Sequence, residues 1–386
     1  MAAVLFAASL AALAWVTIGF PATVAVWGLV RRRRVRRAEI TPFVSVLVAA
    51  HNEEAAIARK VRNTLALDYP ADLLEVIVAS DGSTDRTVEV ATAVASERVR
   101  VLSLPRGGKV GALDEAVRVA RGEILVFTDA NTGLDRNALR HLAANFADPG
   151  VGGVCGNQRV RLDGGEDSSA DGERLYWGYD KRLKALESAT GSIVSADGAL
   201  YAIRRELYRR PVSPVLNDDF AISTKVVELG HRLIFDDRAL AWEPASASAG
   251  HEFERKVRIL SRGLWSVLAA RALLNPFRYG FYSLVLLTHK VLRRLTPLFL
   301  AGMLAGSLLS VGQGPAWTAL VVAQLGFYAL AIIGALARTT RVGRSRIFGT
   351  PFFFCLANGA ALVALAFVVS GRRIEVWQPR RRDAIA

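Results

Sequence analysis

Thirty residues at the N-terminal end, 1–30, carry no charged side chain, and three more apolar stretches, 295–312, 316–337 and 352–370, crowd the other end. A helix rises ~1.5 Å per residue and needs about 20 apolar residues to cross the hydrocarbon core of a bilayer. Inside that core every backbone group must be satisfied within the segment, so these stretches are expected as membrane helices enclosing whatever folds between them. A cleaved leader is the competing reading of 1–30. It lacks a basic start and a small-residue cleavage site before Arg31, and it is too long, so a retained anchor is expected over 1–37 with its basic flank.

That flank is Arg31, Arg32, Arg33, Arg34, Arg36 and Arg37, which by the bias of basic residues toward the cytoplasm puts the following domain in the cytoplasm at the inner (plasma) membrane. Gly312-Gln313-Gly314-Pro315 turns the chain between the first two C-terminal stretches, and Arg338, Arg341, Arg344 and Arg346 return the next loop to the cytoplasm. A third span, completing three over 295–371, would then export a tail, 372–386, that carries Arg372, Arg373, Arg380, Arg381 and Arg382. Those five arginines prefer the other side, so either the last segment is re-entrant or the count differs. The net charge of +14 is thus concentrated beside the membrane, where it serves orientation and attraction to the lipid bilayer; no nucleic-acid-binding motif accompanies it and no nucleic-acid partner is expected. Cys155 and Cys355 belong to no metal-ligand spacing.

Residues 38–275 read as one α/β domain. β-branched runs at 44–49, 74–79, 99–102 and 124–127 alternate with helical patterns, which predicts a mostly parallel, Rossmann-like sheet with helices on both faces. Ligands of such sheets lie at the carboxyl ends of the strands. Three of the four runs lead straight into polar clusters: Ala50-His51-Asn52-Glu53-Glu54, Ser80-Asp81-Gly82-Ser83-Thr84-Asp85 and Thr128-Asp129-Ala130-Asn131-Thr132. Taken singly each is ordinary, a turn or a helix cap. Asn217-Asp218-Asp219, ahead of a helical pattern at 220–229, could likewise be only a cap with favourable charge at a helix N-terminus.

Taken in order, these four motifs resemble glycosyltransferase family 2, over about residues 40–260, and the placing of the apolar segments is similar to that of bacterial chitin-oligosaccharide, hyaluronan and poly-N-acetylglucosamine synthases. The resemblance implies the GT-A fold, a nucleotide-sugar donor, Mg²⁺ or Mn²⁺, and inversion at the anomeric carbon. It implies donor-binding roles for Ala50, His51, Glu53 and Asp81 around the nucleoside, for Lys109 after the Gly107-Gly108 pair beside the phosphates, and for Asp129 and Asn131 as cation ligands.

The chemistry of these residue types agrees. A strand-end carboxylate such as Asp81 can accept from a base N–H, and a hard cation bound through oxygen neutralises charge growing on a departing diphosphate. Asn131 departs from the commoner acidic residue at its position and is a weaker, neutral ligand. An acceptor hydroxyl must lose a proton as it attacks, so a carboxylate is needed opposite the leaving group: Asp219 is the expected base, with Asp218 the alternative. Asp197 and Gly198, in Ser195-Ala196-Asp197-Gly198-Ala199, match the segment lining the sugar side.

Processive members of the family carry Gln-x-x-Arg-Trp; here the stretch is Arg255-Lys256-Val257-Arg258-Ile259, which keeps Arg258 for the donor phosphates, puts Arg255 in place of Gln and loses the stacking Trp. Trp265 is the nearest substitute. The stretch 276–294 mixes apolar residues with His289, Lys290, Arg293 and Arg294, the make-up of an interfacial helix. The function expected is sugar transfer to a growing cell-surface or secreted polysaccharide, or, alternatively, of one sugar to a polyprenyl-phosphate or other lipid acceptor. A silent scaffold of an export complex would have no use for Asp81, Asp129 and Asp219 together.

Overall fold

The computed structural model describes residues 1–161, 168–244, 249–343 and 345–374. Arg344 and the end of the basic tail, with Arg380, Arg381 and Arg382, lie outside the described residues. One eight-stranded sheet organises the middle of the chain: β1 (Val44–Ala50), β2 (Leu74–Asp81), β3 (Val99–Leu104), β4 (Ile124–Asp129), β5 (Gly133–Leu134), β6 (Val151–Arg161), β7 (Tyr201–Arg204) and β8 (Arg232–Pro244), in the order β3-β2-β1-β4-β7-β6-β8-β5. The first four are parallel neighbours, as the alternation of strand and helix patterns predicts. Every residue of β1 and β2 is buried, which is why both read as largely apolar runs rather than alternating ones, interrupted by Ser45 and Glu75, which hydrogen-bond to each other.

Beyond β4 the sheet is mixed. β7 pairs antiparallel with both β4 and β6, β6 pairs parallel with β8, and β5 adds two residues antiparallel to β8. Registers of Ala50 with Ser80 and of Ala49 with Asp129 bring the ends of β1, β2 and β4 to one edge. The polar clusters that follow them therefore share that edge.

Two apolar layers cover the sheet. One contains Ile57 and Val61 of helix Glu54–Leu65 with Leu139 and Leu142 of helix Ala138–Ala144. The other contains Leu113 and Val117, and with them Phe20 and Val24 of the N-terminal helix and Tyr282, Val285 and Leu286 from the approach to the second group of membrane helices. The sheet thus shares a core with segments at the membrane. The arginine run is laid over the domain as a strap: Arg33 N–H donates to the Ala189 carbonyl (2.8 Å), Ala38 N–H to Ala144 (3.2 Å), and Arg37 Nε to Asn145 Oδ1 (2.8 Å).

Among the described residues three helices are long and apolar enough to cross a membrane, Ala2–Val30, Pro315–Leu336 and Arg346–Val369. The expected span at 295–312 is a helix of only 13 residues, Thr296–Leu308, which attains crossing length together with Phe281–Arg294, bent from it by 57°. The stretch expected as one interfacial helix, 276–294, is divided among Pro276–Tyr279, Phe281–Leu286, a π turn at Leu287–Val291 and a 3₁₀ turn at Leu292–Arg294. It turns inward, where the Tyr282 hydroxyl donates to the Val194 carbonyl at 2.8 Å. The helix that bridges domain and membrane is Ala249–Ala269, whose Lys256 lies 5.0 Å from the ring centroid of Phe353 in the last span.

Helix Thr296–Leu308 closes on the N-terminal helix through Gly302 and Gly306, one turn apart. A Cβ at Gly306 would lie 2.7 Å from Phe6 N and 2.9 Å from the Ala2 carbonyl oxygen, and one at Gly302 would strike Ser9 Oγ. Small residues at this spacing let membrane helices approach backbone to backbone. Gly306→Val is expected to force the helices apart at a cost of about 1–3 kcal/mol, read as a lowered unfolding temperature of the detergent-purified chain; an unchanged temperature would show that the contact contributes nothing.

Candidate active site

The turns after β1 and β2 are stitched to each other. Asn52 has a left-handed backbone, φ 56°, and its Oδ1 accepts the Thr84 N–H at 2.8 Å, while Asn52 N–H donates to Ser83 Oγ at 3.1 Å and Glu53 N–H to Thr87 Oγ1 at 2.7 Å. His51 Nδ1 lies 2.8 Å from the Asp81 carbonyl, so the ring donates there. Ala50 is fully buried at the floor of this cradle.

Asp81, expected at the base of a nucleoside, is 1% exposed and shapes the next loop. Its Oδ1 accepts the N–H groups of Gly107 (2.6 Å) and Gly108 (2.8 Å), and its Oδ2 accepts Arg106 Nη1 (2.6 Å). Gly82 lets that loop in: φ is 59°, and a Cβ there would sit 2.8 Å from Arg106 N.

From Gly108, with φ 81°, helix Lys109–Val119 starts with Lys109 directed at the acidic residues. Its Nζ is 2.7 Å from Asp129 Oδ1 and 3.0 Å from Asp218 Oδ2. Burial would discharge this ammonium, but the two carboxylates overcome it and raise its pKa.

Asp218 and Asp219 open helix Asp218–Glu228, yet the triplet is more than a cap: no side chain at Asn217 caps the helix, and Asn217 Nδ2 points at the Ile259 carbonyl, 3.4 Å away. The triplet is held from Ala249–Ala269, where Ser266 Oγ accepts the Asn217 N–H (2.9 Å) and the buried Arg262 donates to the carbonyls of Pro214, Val215 and Leu216 at 2.8, 3.0 and 2.7 Å. Arg262 and Ser266 escaped the sequence reading. Their spacing of four, on one face of a helix, was the available signal.

Gly198 sits where these groups meet. A methyl placed on it would lie 3.6 Å from Asp129 Oδ2, 3.8 Å from Asp219 Oδ2 and 3.8 Å from Lys109 Nζ. Residues from β4, from the loop before β7 and from two helix starts, separated by as much as 110 positions, thus face one gap. Burial, and then the neighbouring Asp218, push the Asp219 carboxyl up to about 6. Nearby, burial and Asp129 push Glu243 up to about 7. Beneath the Asp129 turn, burial lowers the Lys60 ammonium to about 7 against the pull of Asp129 and Glu243.

Asp197 is tied elsewhere. Its carboxylate pairs with Lys184, which also holds Asp180 at 3.1 Å; burial opposes the Asp180 charge, but Lys184 and His289 keep its pKa well below the usual carboxylate range. His289 Nε2 lies 3.4 Å from Asp180 Oδ1 and 2.9 Å from Arg293 Nη1, so a chain of charges joins the Gly198 loop to the membrane approach. Arg255 and Arg258 stand one turn apart on Ala249–Ala269, both half-buried, and the Arg255 charge opposes the upward shift of Glu243. Trp265 is no free platform: its Nε1 points to the Arg372 carbonyl (3.4 Å) and the Arg373 guanidinium lies 4.9 Å from its ring centroid.

For a divalent cation, Asp129 offers a partly exposed carboxylate and Asn131 an exposed amide oxygen. Among the described residues no group of three His, Cys, Asp or Glu side chains is gathered to hold a metal. The donor set therefore fits a hard ion that brings most of its oxygen ligands with it, as one bound to a diphosphate does.

Residues 45–210 match the family model for glycosyl transferase family 2. The beta-monoglucosyldiacylglycerol synthase of Nostoc sp. (strain PCC 7120 / SAG 25.82 / UTEX 2576) is 32% identical over 170 residues, which are 43% of this chain and 36% of that protein. The poly-beta-1,6-N-acetyl-D-glucosamine synthase of Staphylococcus epidermidis is 26% identical over 246 residues, 60% of this chain and 58% of that protein. The chain thus spans less than two thirds of the length of these relatives. Among solved structures, a mannosyltransferase from Pyrobaculum calidifontis in complex with GDP-Man and Mn²⁺ superposes with a TM-score of 0.66 at 24% identity, over 95% of this chain and 99% of that one. The fold is GT-A, joined to apolar helices of membrane-crossing length.

Gly198→Ala tests whether the gap is the reaction centre. The added methyl meets its neighbours at ordinary contact distance, so the variant is expected to fold with an unchanged unfolding temperature and to lose sugar transfer by at least about tenfold. Full transfer by the folded variant would move the reaction elsewhere.

Proposed function

We propose that this family 2 domain transfers a sugar from a nucleotide-sugar donor, a UDP-hexose or UDP-N-acetylhexosamine, to an acceptor presented at the membrane, by a single inverting displacement. The observation that carries the reading is the gap at Gly198, faced by Asp129, Lys109 and Asp219. Lys109 and the Asp129–Asn131 turn hold the donor's diphosphate end, with Mg²⁺ or Mn²⁺ on Asp129 and Asn131. A bound ion there supplies charge neutralisation for the departing nucleoside diphosphate. The cradle of His51 to Glu53, stitched to the turn after Asp81, takes the nucleoside, and Arg258 lies toward the phosphates. Arg255, Asp197 and Gly198 border the sugars.

Asp219 removes the proton of the acceptor hydroxyl as its oxygen bonds to the anomeric carbon and the bond from that carbon to the diphosphate breaks. A carboxyl raised to about 6 is poised for this, because a base works best with a pKa near the working pH. Asp218, bound to Lys109, is the less available of the pair.

Addition of one sugar to a lipid-linked acceptor is favoured over elongation by the state of Trp265, which is engaged with the end of the last span, and by Ile259, 40% exposed where a stacking aromatic would stand. Extension of a surface or secreted polysaccharide is the second reading, supported by the likeness to a poly-N-acetylglucosamine synthase. Both place the protein at the inner membrane, with the domain on the cytoplasmic side where nucleotide sugars are made.

The test is transfer by the nanodisc-reconstituted chain across UDP- and GDP-sugars with Mg²⁺ or Mn²⁺, products resolved by size. One added sugar on lipid is expected; a ladder of lengths would establish elongation, and no turnover with any donor would point to a silent scaffold. Asp219→Asn should abolish transfer, by at least about a hundredfold, while donor binding persists. In the wild type the rate should rise with pH through about 6 as Asp219 loses its proton, and a flat profile from pH 5 to 8 would remove Asp219 from the role of base.

A further inference from the structure

Lys60 is a charged side chain buried in the sheet-and-helix core, 2% exposed, on the helix Glu54–Leu65 that follows β1. Its Nζ donates to Thr128 Oγ1 at 2.7 Å and to the Thr132 carbonyl at 2.8 Å, so one ammonium grips both ends of the turn that carries Asp129 and Asn131. Thr128 Oγ1 passes the contact on, donating to the Ala199 carbonyl at 2.7 Å, beside Gly198. From the other end, Thr132 Oγ1 donates to Glu243 Oε1 at 3.2 Å, and Gln158 Nε2 donates to the second oxygen of that carboxylate.

A buried ammonium is expensive, and apolar packing of similar volume would suit the core better. The cost is explained by what the charge holds: a short turn whose two oxygen ligands must keep their spacing, with the Gly198 loop in register beside it.

We propose that Lys60 is a positioning residue of the donor site, acting through Thr128 and Thr132 to hold the Asp129–Asn131 turn in the shape that a diphosphate-bound cation requires. This rests on the assignment of that turn to the donor. Losing the grip by even ~1 Å is enough to weaken ligand placement by ten- to a hundredfold.

The test compares Lys60→Met, Lys60→Arg and Thr128→Val in the full-length, nanodisc-reconstituted protein, with unfolding temperature, donor KM, kcat and the half-saturating Mn²⁺ concentration measured on each. Lys60→Met is expected to raise donor KM and half-saturating Mn²⁺ together by about tenfold or more, beyond any change in kcat, and Lys60→Arg to restore part of the loss. Thr128→Val, nearly isosteric and lacking the hydroxyl, should move both constants the same way by about threefold, and it decides the matter if Lys60→Met does not fold. A folded Lys60→Met or Thr128→Val with wild-type constants would overturn the proposal and leave Lys60 a core residue only. Asp129→Asn separates the two levels: constants that move there but not in the Lys60 and Thr128 variants sink the inference alone, whereas constants that stay put in all of them sink the donor assignment itself.

Discussion

The site depends on a single ammonium shared between two carboxylates. Lys109 lies within 3.0 Å of both Asp129, at the end of a strand, and Asp218, at the start of a helix about 90 residues later. Without it, Asp129, Asp218, Asp219 and Glu243 would share one region lacking the cation that pairs two of them, where burial already penalises the charge of Asp219 and Glu243. With it, Asp129 and Asp218 each have a cationic partner, while burial and a neighbouring carboxylate raise the pKa of Asp219 and of Glu243. The arrangement separates two adjacent aspartates chemically, one fixed as a counter-ion and one left with the pKa of a base.

That charge balance is set up by the fold around it. Lys109 is aimed by Gly108, whose positive φ of 81° glycine adopts without strain, after a loop that Asp81 pulls in through two backbone N–H groups and Arg106. Asp218 and Asp219 are aimed from the membrane side, because Ala249–Ala269 carries both the arginine and the serine that hold the preceding loop and also packs on the last span. Half of the site is therefore referenced to the sheet and half to the bilayer.

The sheet's first half was legible because buried parallel strands leave a clear mark: β1 and β2 are largely apolar runs, broken only by Ser45 and Glu75 before they reach polar turns, and both run one or two residues further into those turns than the apolar pattern suggests. The second half was not. β7 is four residues long, β5 is two, and β6 and β8 pair across irregular registers, so their partners are chosen by tertiary packing rather than by pattern. At the candidate site, types and order singled out Asp129, Lys109, Asp219 and Gly198, which the fold brings to one gap, but not the commitment of Asp81 to a loop, since a carboxylate on a strand end looks the same whether it faces a ligand or two backbone amides. Lys60 looked like any lysine of an amphipathic helix. Its burial becomes visible only when the turn it holds is in place.

The same distinction between pattern and placement explains the membrane approach. Composition alone marks 276–294 as amphipathic, and an amphipathic segment next to a span is ordinarily laid in the interface. Here its polar members have protein partners: His289 and Arg293 join Asp180, and the Tyr282 hydroxyl joins Val194. Each such contact removes a reason for the segment to seek headgroups, and together they draw it beneath the domain, leaving Ala249–Ala269 to meet the last span. The row of contacts from Arg293 through His289 and Asp180 to Lys184 then ends on Asp197, next to Gly198, which ties the loop at the gap to the segment that leads into the apolar helices.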